Sequence, residues 1–326
     1  MNARPTPLRN GFSLIEILAA ISVLAILALI IVQITSAITR TTTLSNRAID
    51  AATQARLAFD RIGMDLDGLV KRSDTDFLAQ NAAVGTGTSV LLFVSCVTSA
   101  ATSATNNRGI SLVSYQVNAH ADNQARPCLI RSGQAIPWSN ASGSSLSSAG
   151  FMGLQSNGLP LAFSSTAFAA FQPKTADFDM LAEGVIRIVV GFQLYPDNQA
   201  AKLADGTAIA NARGQIVYSP PVRTLTPTGG GAAVNYIDLS RISTLVIGLV
   251  ALDLQTLRLL NASQITTLGN AFAIPQNQLP PLRTWSSKAE SAASDPSLST
   301  VPLAARQAVR VFERCYPVTP FTTPAL

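Results

Sequence analysis

Arg9-Asn10-Gly11-Phe12-Ser13-Leu14-Ile15-Glu16 decides how this chain is read. A short basic, polar stretch ends at Gly11. An apolar run starts at Phe12 and continues to Val32, with Glu16 as its one charge. At about 1.5 Å per residue the run covers roughly 30 Å, enough to cross the hydrocarbon core of a bilayer. Arg4 and Arg9 precede it, and no acid lies between Met1 and Ser13. That asymmetry keeps the N-terminus cytoplasmic and puts the rest of the chain outside the cytoplasmic membrane. A carboxylate inside a spanning helix costs about 2.5–3.5 kcal/mol on insertion scales, so Glu16 needs a partner.

A secretory signal has a shorter apolar core followed by a small-residue cleavage site. Ala19, Ala20, Ala25 and Ala28 are small, but the run is too long and the Gly-Phe junction precedes it. A plain signal anchor accounts for the length and for neither Glu16 nor the junction. The segment Gly11-Phe12-Ser13-Leu14-Ile15-Glu16 resembles the class III signal of type IV pilins and of the pseudopilins of type II secretion. The resemblance implies that a prepilin peptidase cuts between Gly11 and Phe12 and methylates the new amino group of Phe12. It also implies a role for Glu16 in assembly. The carboxylate would pair with the terminal amine of a neighbouring subunit and fix its register, since breaking one half of a buried pair costs about 3–5 kcal/mol.

No Pro or Gly occurs from Phe12 to Ile62. Small or apolar residues recur at Ala48, Ala52, Ala55, Phe59, Ile62, Leu66 and Leu69, the spacing of one helical face. Arg47, Asp50, Gln54, Arg56, Asp60, Arg61, Asp65 and Asp67 fill the other face, with Asp50/Gln54 and Arg61/Asp65 at i,i+4. The pattern predicts a helix from Ser13 to about Lys71, roughly 90 Å long, weakest at Thr39 and Thr41–Thr43 because threonine is a poor helix former. Residues Ala55 to Leu66 are similar to the region after the membrane helix in the J-type minor pseudopilins. The "cassette protein C" family of the Verrucomicrobia also looks similar, pairing such a start with a β-rich body of this size.

About 255 residues follow the helix, enough for one large domain. Strands are expected at Thr88–Thr98, Gly109–Asn118 and Arg126–Arg131, a meander bounded by turn-rich stretches. Gly184–Tyr195 alternates, with Ile186, Ile188, Val190, Phe192 and Leu194 on one face and Arg187 and Gln193 on the other. Ser243–Asp253 is almost continuously apolar and should be a central strand, with Val309–Val318 closing the sheet. Short helices are expected at Leu254–Asn261 and Leu303–Gln307. Ser99–Arg108, Ser139–Gly150, Thr224–Ala233 and Trp285–Thr300 read as long surface loops. The fold expected is α+β: a long N-terminal membrane-spanning helix packed on a mainly antiparallel sheet. Its parts are a leader at 1–11, a transmembrane stretch at 12–32, an extramembrane helix at 33–72 and a periplasmic β-rich domain at 73–326.

The formal net charge of +5 is mild and spread out, so no nucleic-acid partner is expected. The single histidine, His120, falls in a predicted turn with no Gly-x-Ser-x-Gly nearby. Neither zinc-ligand spacing nor a phosphate-cradling glycine loop is present. Asp65, Asp67, Asp74 and Asp76 bunch together without a calcium-loop pattern, and Asp177, Asp179 and Glu183 carry as little weight. The compartment permits disulfides. Cys96 and Cys128 lie on strands of one meander and can pair, leaving Cys315 over, with three free thiols as the alternative. These readings converge on a non-enzymatic minor pilin or pseudopilin without cofactor, anchored once in the inner membrane. Its partners would be the prepilin peptidase and other pilin subunits, and its size suits a tip position. The competing reading is a membrane-anchored periplasmic binding protein or enzyme with a plain signal anchor. An adhesin or DNA-uptake subunit would share the signal and differ in what its loops touch.

Overall fold

The computed structural model describes residues 13–70, 77–79, 82–96, 107–137, 178–194, 216–217, 222–223, 242–273 and 281–318. The chain divides into two compact units at Arg47–Ala48, inside the first helix. That helix, α1, runs without interruption over Leu14–Asp67.

In the first unit the helix exposes its apolar side chains all round, from Leu14 and Ile15 to Ile34 and Ile38. Its hydroxyls bond inward. Ser22, Thr35, Thr39, Thr41 and Thr43 each donate to the carbonyl four residues back, at 2.7–2.9 Å. The threonine stretch expected to be weak is helical throughout, and the hydroxyls of Thr39, Thr41 and Thr43 bond to its own backbone.

The second unit is built on two antiparallel sheets. In chain order the strands are β1 (Leu78–Ala79), β2 (Leu91–Ser95), β3 (Asn107–His120), β4 (Arg126–Pro137), β5 (Phe178–Ala182), β6 (Val185–Leu194), β7 (Ile216–Val217), β8 (Val222–Arg223) and β9 (Ile242–Ala251). Four helices follow: α2 (Leu254–Arg258), α3 (Ala262–Ala271), α4 (Pro281–Ser291) and α5 (Leu303–Ala308). The last strand is β10 (Arg310–Pro317). One sheet has the order β5-β4-β3-β2-β1-β8 and the other β10-β9-β6-β7. The fold is α+β, with the meander β2-β3-β4 and the central strand β9 where the hydrophobic patterning put them.

One core cluster joins Ala51, Ala55, Ala58, Phe59, Ile62 and Leu66 of α1 to the inner faces of both sheets. Phe77 bridges them, with ring centroids 6.2 Å from Phe93 and 6.3 Å from Phe192. A second cluster buries the opposite face of the four-stranded sheet under α2–α5, around Trp285, Phe272, Ile265 and Leu268. Both faces of β6 and β9 are thus covered, which is why β9 reads as an unbroken apolar run.

Two expectations are corrected. The stretch Trp285–Thr300 is not a surface loop: it contains most of α4, and Trp285 and Leu298 are buried. In β6 the pairing shifts between Val185 and Arg187. This bulge sends Ile186 to the helix-covered face while Ile188, Val190 and Phe192 stay on the α1 face. Arg187, expected on the face opposite Ile188, lies there and is buried under the helical layer. Its Nη1 donates to Asn270 Oδ1 at 3.3 Å, and burial lowers its pKa to about 10. The loops expected at 139–150 and 224–233 lie outside the described residues.

Candidate functional sites on the long helix

The first candidate site is the start of α1. Ser13 is the last residue before the helix. Its backbone N–H donates to Glu16 Oε2 at 3.1 Å, and its Oγ accepts from the N–H of Ile15 at 3.4 Å. Its carbonyl takes the first helical bonds, from Glu16 N at 3.0 Å and Ile17 N at 3.2 Å. The Glu16-to-Ser13 amide bond is half of a capping box, and it places a carboxylate in the first turn, where the helix dipole favours negative charge. Glu16 therefore has a partner within its own chain. Its sequence signal is Ser-x-x-Glu at Ser13–Glu16, at the start of the apolar run. Gly11 and Phe12 lie outside the described residues.

The second site lies at the other end of α1, inside the body. Asp65 was expected on the polar face of the helix and is fully buried. Its carboxylate receives Arg131 through two bonds, Nε to Oδ2 at 2.6 Å and Nη2 to Oδ1 at 2.9 Å. The Tyr115 hydroxyl donates to the same Oδ2, and Arg61 Nη2 stands 3.5 Å from Oδ1. Tyr115 and Arg131 are direct cross-strand partners on β3 and β4, so the sheet presents both groups together. Burial, then the Asp65 charge, holds the Tyr115 hydroxyl well above its ordinary pKa. Burial would lower the pKa of Arg131, but the hydrogen bond and charge of Asp65 outweigh it and hold it above its usual value. The neighbouring backbone is tied down as well. Ser95 Oγ donates to the Asp65 carbonyl at 2.7 Å, and the N–H of Cys96 donates to the Gly68 carbonyl at 2.7 Å.

Further along the helix, Asp50 Oδ2 accepts from the N–H of Leu254 at the start of α2, at 2.9 Å. The Tyr316 hydroxyl donates to the Phe59 carbonyl at 2.6 Å, and Arg314 pairs with Asp60 at 2.6 Å. Where the Tyr316 ring crosses, the helix carries Gly63, and a Cβ there would stand 3.1 Å from the ring.

The remaining candidates fall elsewhere. Cys96, Cys128 and Cys315 are free thiols. The sheet keeps Cys96 and Cys128 apart: Cys96 follows β2, Cys128 is on β4 and β3 lies between, so two strand spacings alone separate them by about 9–10 Å, beyond disulfide reach. They also lie toward opposite ends of β3, since Cys128 faces Asn118 while Ser95 faces Ser111. The Nε2 of His120 is 3.0 Å from the Phe178 carbonyl, and its Nδ1 accepts from the Asp122 N–H at 3.3 Å, a turn-closing role. Asp74, Asp76 and Asp177 lie outside the described residues. Among those described, no group of three His, Cys, Asp or Glu stands close enough to hold a metal ion.

Residues 7–32 match the prokaryotic N-terminal methylation motif. The match covers the Gly11-Phe12 junction, Glu16 and the apolar run up to Val32. It supports a type IV pilin-like prepilin and indicates a structural subunit handled by a prepilin peptidase and assembled with pilin subunits. Motif and apolar helix together fit a single-pass anchor in the inner membrane. No curated protein and no solved structure matches the chain.

Proposed function

We propose that this protein is a minor pilin or pseudopilin, cleaved between Gly11 and Phe12, N-methylated at Phe12 and built into a type II secretion pseudopilus or a type IV pilus-like filament at its tip. The observation that carries the reading is the methylation motif running directly into an exposed apolar helix with Glu16 in its first turn. Residues 1–11 act as the leader, 12–32 span the membrane and 33–72 continue the helix outside it. Residues 73–326 then form a periplasmic domain.

The capping box supports the part given to Glu16. The Ser13 amide engages Oε2, and among the described residues Oε1 accepts nothing. One oxygen therefore stays available for the terminal amine of a neighbouring subunit. The large two-sheet body with its helical layer supports a tip position, because a repeating shaft subunit has little room per copy.

Mass spectrometry of the membrane-extracted protein tests the reading. The expected N-terminus is N-methyl-Phe12. Intact Met1-to-Gly11 in cells with an active prepilin peptidase overturns it in favour of a plain anchor.

A further inference from the structure

The face that α1 turns to the body is apolar and rich in alanine. Its buried residues are Ala51, Ala55, Ala58, Phe59, Ile62 and Leu66, and apolar attraction has no direction of its own. Sliding the helix by one turn puts Ile62 in the place of Leu66, Ala58 in that of Ile62 and Ala51 in that of Ala55. The opposite slide exchanges the same residues the other way. Apolar contact is kept at those positions in both, while the place of Phe59 would receive Ala55 or Gly63 and that of the buried Ala58 would receive Gln54 or Ile62. The exposed pair Arg314–Asp60 cannot choose between these arrangements, because surface ion pairs contribute little. The Gly63–Tyr316 contact resists both slides, since Phe59 or Asp67 would meet a buried ring whose hydroxyl is held by the Phe59 carbonyl.

Asp65 adds a constraint of charge. One slide replaces it with Leu69 and strands the Arg131 guanidinium without a carboxylate. The other replaces it with Arg61 and sets two guanidinium groups against each other at a buried site. We infer that Asp65, received by Arg131 and Tyr115, is the charged residue that fixes the axial register of the buried part of α1 against the two sheets. Asp65 is a positioning residue whose role is specificity, and this holds whether or not the chain enters a filament. Buried ion pairs are poor sources of net stability, and their best-attested role is choosing one register over another.

The test uses the full-length protein in detergent micelles with the exposed Cys96 and Cys315 changed to Ser. Spin labels go on Met64→Cys and Leu259→Cys, both strongly exposed positions on α1 and at the end of α2. The native network should give one narrow distance distribution. The variant Asp65→Leu/Arg131→Met/Tyr115→Phe should melt no lower than the parent yet show a second population displaced by about 5.4 Å of helix translation. Asp65→Leu/Leu69→Asp, which keeps a carboxylate for Arg131 one turn along, should move the main population by that turn. This second variant decides the matter if the first does not fold. A single unmoved population in a folded variant of either kind overturns the inference.

Discussion

Asp65 on α1 and Arg131 on β4 are joined by two parallel hydrogen bonds of 2.6 and 2.9 Å, although 66 residues separate them in the chain. Both groups are buried, so neither can fall back on water. Removing one partner leaves the other as an uncompensated buried charge. Asp65→Ala or Arg131→Ala should therefore lower the unfolding free energy by about 3–5 kcal/mol. Urea unfolding of the full-length protein in detergent, followed by tryptophan fluorescence, checks this. A loss below about 1 kcal/mol would mean that the network is solvated in solution.

Glu16 separates two properties that one substitution usually confounds. Glutamine keeps the side-chain oxygen that caps Ser13 but not the charge, while leucine removes both. Both variants should remain membrane-inserted and cleaved, and both should fail to co-purify with partner subunits. Amide exchange at Ser13 should be slow in the parent and in Glu16→Gln, and fast in Glu16→Leu. Normal co-purification of Glu16→Leu would remove the pairing argument.

The three thiols should differ sharply in reactivity. Cys96 and Cys315 are exposed and Cys128 is buried, so a maleimide should label two sites in the native protein and the third only after unfolding. Burial, the largest cause, pushes the pKa of Cys128 up to about 12. An acid held protonated in the folded state contributes stability that is fully present below its unfolded pKa, about 8.5, and is lost as pH rises toward the folded value. Stability should therefore fall between about pH 8.5 and 12, with a smaller fall in Cys128→Ala. The raised Tyr115 pKa acts in the same direction above about pH 10.

Two glycines sit where backbone meets backbone. A Cβ at Gly184 would lie 2.5 Å from the Leu252 carbonyl oxygen, and one at Gly269 would lie 2.7 Å from that of Ile186. Neither carbonyl can swing away as a side chain does. Gly184→Ala and Gly269→Ala should each cost about 1–3 kcal/mol in thermal melts. Gly85→Ala, near Thr266 Oγ1 at 3.6 Å, meets no close atom and tests backbone strain alone, since Gly85 has φ +81°.

Local pattern made much of this fold legible. The apolar run marks the membrane-type helix, the alternation marks β6, and continuous burial marks β9. The Asp65 network was invisible for a physical reason. Arg61 and Asp65 at i,i+4 look like a solvated pair, and the residues that bury Asp65 stand on strands 50 and 66 positions away. Helix α4 was lost in a Ser- and Ala-rich composition, although Pro281 suits a helix start and Trp285, Ala289 and Ala292 have helical spacing. The β6 bulge could not be read either, because an extra residue leaves the composition unchanged and reverses only which side Ile186 faces.

The inward-turned hydroxyls of Ser22, Thr35, Thr39, Thr41 and Thr43 bear on vertical freedom. In a bilayer these side chains bring no unmet donor into the lipid and lose nothing on leaving it. The fixed charges flanking the stretch are Glu16 and Arg40. The interval between them spans roughly 36 Å as a helix, against a hydrocarbon thickness of about 30 Å. With 12–32 as the span, Glu16 is the one charge inside the oily layer, and Arg40 stands about 12 Å beyond Val32. Movement of such a helix along the membrane normal would cost nothing at its hydroxyls, and the charge it would carry through the layer is that of Glu16.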